Sequence, residues 1–245
     1  MLLKKRILYW ILAISLVSWS WTTLYVHSFS NLWGGQNRMA IKAGEDRARA
    51  QKALTEMEKH GAPAEQIYNQ RMSLSLQLDE AKNFVEARKV LDAESDALIK
   101  LPESEENFLR RARVEDQVAH IYIDEGLCGE ARNSFNRAAD LVRQVIQTYG
   151  SEDATLFDLA LTNELGVLTY LEASSTLDGT LREKTFAGSK KIFEQLLSHI
   201  SELEAQPEKL TDAGRKRLAH LKDRVGVNLH QVIEDQAFES DFRRI

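Results

Sequence analysis

The side chains able to do chemistry in this sequence are present but not gathered. Its six histidines stand at 27, 60, 120, 199, 220 and 230. No two are three or four residues apart, the spacing that aims two imidazoles at one metal from a helix. His120 has Asp116 four residues before it and Asp124 four residues after it, which puts a histidine between two carboxylates on one helix face. Ordinary i, i+4 pairing on a solvated face explains that spacing; a metal, acid–base or partner-contact role is the sharper alternative. Acid clusters such as Asp79-Glu80 and Glu103, Glu105 and Glu106 read as solvated faces or helix N-terminal charges. There is no Gly-rich phosphate loop, no G-x-S-x-G and no H-E-x-x-H. Cys128 is the single cysteine, so no internal disulfide can form, and it reads as a small buried apolar residue. The expectation is a protein with no catalytic residues, no cofactor, no metal and no small-molecule substrate.

The elements that carry these residues are helices. Only three prolines and twelve glycines interrupt 245 residues, and Ala, Leu, Glu, Lys, Gln and Arg fill long stretches between them. The formal charge is −5 overall, while residues 1–37 carry +3 from Lys4, Lys5 and Arg6 with no acid; the remainder therefore carries −8. Such an acidic domain does not suit nucleic acid, whose binding rests on neutralising phosphates. The basic run Arg215, Lys216, Arg217, Lys222 and Arg224 is interleaved with Asp212 and Asp223, so it does not suit nucleic acid either.

From Ile7 to Val26, fifteen of twenty residues are apolar and none is charged. Twenty helical residues reach about 30 Å, the thickness of a bilayer's hydrocarbon core, and a lone span there must be a helix. Residues 7–30 are thus expected to form a transmembrane signal-anchor, with residues 7–26 as its membrane contact and 1–6 as a cytoplasmic basic flank. A cleaved signal peptide is the competing reading, since basic residues 4–6 precede the apolar run. The positive-inside rule places the N-terminus in the cytoplasm and the following domain outside it, in the periplasm if the source is bacterial.

Gly34-Gly35 marks a hinge at 31–36. A juxtamembrane helix over 37–62 follows, stopped by Gly61 and Pro63. Further helices are expected over about 63–81, 84–99, 105–125, 128–149, 153–173, 182–204 and 210–238, joined as antiparallel hairpins. The last of these, with its tail in 205–245, supplies an apolar face to cap the open end.

Within 63–204 one unit repeats its own logic. Val118-Ala119, Ile121-Tyr122, Gly126, Ala131, Phe135 and Ala138 set small residues where two helices approach and a bulky one between hairpins. Leu74-Ser75, Leu78, Phe84, Ala87 and Leu91 echo it upstream, as do Leu165-Gly166, Tyr170, Ala173, Ser189, Phe193 and Leu196 downstream. The run resembles the tetratricopeptide repeat, with one good unit and two degenerate ones across roughly 63–200. The intervals from Ala87 to Ala131 and from Ala131 to Ser189 are 44 and 58 residues, where the family keeps about 34. The resemblance implies a concave groove lined by the first helix of each hairpin: Met72 and Leu76, then Asp116, His120 and Ile123, then Asn163, Val167 and Tyr170. It also implies a protein partner held there, without the Lys/Asn clamp that some members use for a C-terminal carboxylate.

The leading expectation is a membrane-tethered scaffold or adaptor for protein–protein interaction. A structural subunit of a larger membrane complex, using its hydrophobic helix for assembly, is the alternative from a different class, followed by a cleaved secreted helical domain and, last, an enzyme.

Overall fold

The computed structural model describes residues 44–242. The expected anchor at 7–30, its basic flank and the Gly34-Gly35 hinge lie outside the described residues. So do residues 37–43 of the juxtamembrane helix. Among the described residues no helix is long and apolar enough to cross a membrane.

Two compact units divide the chain after Ala62. In the first, helix α1 spans 44–59 and ends at Gly61, whose φ of +65° is the left-handed turn that favours glycine. The second unit is an all-α array: α2 (Ala64–Glu80), α3 (Phe84–Ile99), α4 (Glu105–Glu125), α5 (Cys128–Tyr149), α6 (Glu152–Ser175), α7 (Gly179–Glu204), a 3-10 turn (Pro207–Lys209) and α8 (Asp212–Phe242). Each helix packs on the next. The first helices of successive hairpins also touch one another, α2 with α4, α4 with α6 and α6 with α8.

The helix ends follow from local chemistry. Ser104 and Ser151 accept hydrogen bonds from the amides of Asn107 and Ala154, capping α4 and α6. Gly126 and Gly150 close α4 and α5 in the left-handed conformation, with φ of +83° and +63°. Asn107, buried, donates to the carbonyls of Leu98 (3.1 Å) and Pro102 (3.1 Å), fastening the turn between α3 and α4. The expected start of α7 at about 182 is corrected to Gly179. The Asp178 carboxylate accepts from the amides of Thr180 and Leu181 and so begins the helix within the stretch read as loose. α8 starts at Asp212, where the Thr211 hydroxyl accepts from the Gly214 amide.

The repeated pattern of small and large residues is realised as packing. Ser75, Ala119 and Gly166 are buried on the first helices; Ala87, Ala131 and Ser189 are buried on the second. Leu91, Phe135 and Phe193, four residues further along, are fully buried. The approach is close at α6–α7, where the Ser189 hydroxyl donates to the Gly166 carbonyl at 2.8 Å. A Cβ on Gly166 would lie 2.6 Å from Phe193 Cε1, well inside contact distance. Ion pairs tie the helices together as well. Arg71 Nη1 of α2 meets the buried Glu94 Oε2 of α3 at 2.8 Å within the first hairpin, and Arg132 meets Glu172 at 2.6 Å between α5 and α6.

Candidate functional site

The eight residues expected to line a groove do fall on first helices, but they do not share one surface. Leu76 on α2 is 46% exposed. Met72 leans into the apolar cluster built by Tyr68, Ala87 and Leu91. On α4, Ile123 packs partly into the central core. His120 sets its ring edge-on to Phe135 of α5 at 5.5 Å and brings Nε2 to 3.7 Å from Asp116 Oδ1.

Helix α8 changes the reading of the α6 residues. Asn163 is buried, and its Oδ1 accepts from Asn228 Nδ2 at 2.9 Å. The Tyr170 hydroxyl donates to Asp235 at 2.5 Å, and that bond, together with burial, raises its pKa. Val167 packs against the cluster to which Leu218, Leu221 and Val225 of α8 belong. These three residues therefore form a seam with α8. The last helix packs against α7 and also lies along the third first-helix, the alternative in which a terminal helix covers part of the expected groove.

A polar line runs from α4 across this seam. Burial pushes the Asp116 carboxyl up to about 6, with His120 drawing it down, Glu164 of α6 raising it and Arg224 of α8 lowering it. Glu164 in turn meets Arg224 at 3.3 Å. Further along α4, Asp124 pairs at 2.7 Å with Lys82 of the turn between α2 and α3. Among the described residues no group of His, Cys, Asp and Glu could hold a metal ion.

One turn before Asp116 a cavity of about 390 Å³ opens between α4, α6 and α8. Its floor is apolar, from Leu156, Phe157 and Ala160 of α6 and Leu221 of α8. Around it stand Arg113 of α4 and Arg217, His220 and Arg224 of α8, with Asp153 as the one carboxylate in the lining. Asp153 pairs with Arg217. Sequence reasoning set the basic stretch aside because acids interrupt it. The missed signal was the spacing: 217, 220, 221 and 224 follow the i, i+3, i+4, i+7 rule of a single helix face. Asp212 pairs instead with Arg215, and Asp223 is not part of the lining.

No family model matches the chain, and no curated protein does. Two solved structures to which it is similar are the de novo designed helical repeat protein DHR64 and the DHF58 filament. The first is 14% identical over 79% of this chain and 95% of that one, with a TM-score of 0.34. The second is 13% identical over 81% and 97%, also with a TM-score of 0.34. Overlap at that level carries no argument about this chain, whose helical array is read from its own packing.

Proposed function

We propose that this protein is a non-catalytic interaction scaffold, a membrane-tethered adaptor whose helical array docks another protein on the face formed by its first helices. The observation that carries the reading is the face shared by α4, α6 and α8. It presents half-exposed charged side chains around an apolar cavity, in a fold that is otherwise an ordinary stack of buried hairpins. Stacked hairpins give an extended surface made of several elements, which suits a protein ligand better than a small molecule. The apolar, uncharged segment 7–26 supports the tether, and the basic residues before it support an extracytoplasmic domain. A tether of that kind confines the domain to the bilayer surface and raises its effective concentration toward membrane-bound partners.

Site-specific photo-crosslinking in cells tests the docking face. Crosslinkers at Leu76, His120 and His220 are expected to capture one and the same protein, while one at Lys191, exposed on α7, captures none. Capture from Lys191 alone would move the interface off the first helices. Alkaline carbonate washing of membranes tests the tether: the chain is expected in the pellet, and its release would remove the anchor.

A further inference from the structure

We infer that the cavity between α4, α6 and α8 binds an acidic peptide segment bearing one bulky apolar side chain, the apolar group on the Leu156–Phe157–Leu221 floor and a carboxylate among Arg113, Arg217 and Arg224. This rests on the scaffold reading and names the chemistry of the partner it requires.

Charge points to an acidic occupant. The chain is acidic overall, at −5, yet the cavity lining holds three guanidiniums and one carboxylate. With Asp153 paired to Arg217 and Glu164 to Arg224, the rim keeps one guanidinium more than carboxylates, a local positive excess on an acidic domain that favours anionic segments. Guanidinium groups grip carboxylates through two parallel hydrogen bonds, so the lining selects a planar acid as well as a charge.

The arginines at the rim are also available. Arg217 and its partner Asp153 are both more than half exposed, at 54% and 60% of their side chains. Arg224 is 56% exposed where it meets Glu164. Solvated pairs of this sort contribute little to stability, so either arginine can turn to an incoming carboxylate at small cost. The buried Arg71–Glu94 pair elsewhere in the array has no such freedom, with side-chain exposures of 13% and 4%.

Size and register narrow the occupant further. A volume of about 390 Å³ lies at the low end for ligand pockets, enough for an anchoring side chain and its neighbour. Asp116 and Glu164 lie further along α4 and α6 and bear on each other electrostatically. They disfavour a second acid at that end, so the carboxylate belongs on the Arg113–Arg217 side, where it displaces the exposed Asp153 from Arg217. The occupant is thereby given a direction along the groove.

The test is selection of a displayed library of random twelve-residue peptides against the full chain in detergent, with affinities of enriched peptides read by fluorescence anisotropy. The expected result is enrichment of sequences with Asp or Glu beside Leu, Ile, Phe or Trp. Replacing those acids by Gln or Lys is expected to weaken binding at least tenfold. Arg217→Ala/Arg224→Ala should lose tenfold or more, and Ala160→Trp, which fills the cavity, should abolish binding. Each variant's melting curve is recorded so that loss of fold is separated from loss of binding. Lack of enrichment, enrichment of basic or uncharged peptides, or equal binding by the arginine variant overturns the proposal. So does binding of duplex DNA or anionic vesicles that the arginine variant abolishes while acidic peptides do not compete. Crosslinking from Leu76 and His120 reads the broader scaffold separately: capture there with no acidic-peptide binding retires the cavity and keeps the docking face.

Discussion

Helix α6 is held differently on its two sides. Toward α7 it is fixed by close apolar approach: Gly166 admits the Phe193 ring, and the Ser189 hydroxyl closes on the Gly166 carbonyl. Toward α8 it shares an apolar cluster, Leu156 and Leu159 with Leu218, Leu221 and Val225, but adds the polar pairs Asn163 with Asn228, Glu164 with Arg224 and Tyr170 with Asp235, and the seam opens into a cavity at its N-terminal end. A side built on shape tolerates no added atom. The exposed arginines at the mouth of the cavity, Arg217 and Arg224, can exchange partners. The comparison teaches where stability and recognition reside in one element.

The largest effect is expected on the apolar side. Gly166→Val should cost about 3 kcal/mol, because the added carbons meet a fully buried ring that has nowhere to go. Combining it with Phe193→Ala should cost less than the two changes summed, and unfolding titrations of all four proteins measure the difference. Additive costs would mean that α6 and α7 do not touch there in solution.

On the polar side, Tyr170→Phe removes a hydrogen bond to an ionised carboxylate and should cost about 1–2 kcal/mol. Asp235→Asn should cost less than Tyr170→Phe, since the amide still accepts the bond. If Tyr170→Phe proved neutral, the seam would have to be drawn without that contact.

Acidity gives a subtler reading of the same seam. Asp116 is held at about 6 in the folded chain, above the ordinary carboxylate value of about 4. A raised acid binds more protons folded than unfolded between those values, so its contribution to stability falls as pH rises from about 4 to about 6 and is level above that. Asp116→Asn should remove this slope, worth about 1–3 kcal/mol, and leave the variant more stable than the parent at pH 8. Parallel stability–pH curves for the two proteins would contradict the placement of Asp116.

Much of the array was legible because its signals are local. The boundaries of α3, α4 and α5 follow from Pro102 and Ser104, from Gly126 and from Gly150, and the alternation of small and bulky residues at Ser75–Leu91, Ala119–Phe135 and Gly166–Phe193 foretold which faces meet. The site was less legible. Asn163, Val167 and Tyr170 sit on the expected face of α6, yet whether α8 lies over that face depends on contacts sixty-odd residues apart in sequence, such as Tyr170 with Asp235. The cavity was missed because Arg113 belongs to a different helix from Arg217 and Arg224, and only folding brings the three to one rim. The start of α7 was missed for a smaller reason: Asp178 caps from within a stretch rich in residues that also favour loops.

The most direct measurement of the contrast between the two sides of α6 is a pair of urea titrations of the full chain in detergent, one on Gly166→Val and one on Arg217→Ala/Arg224→Ala. The arginine variant should unfold within about 1 kcal/mol of the parent, while Gly166→Val falls by about 3 kcal/mol. An arginine variant as damaged as Gly166→Val would contradict the account, because the charged rim would then be holding the fold together instead of standing ready for a partner.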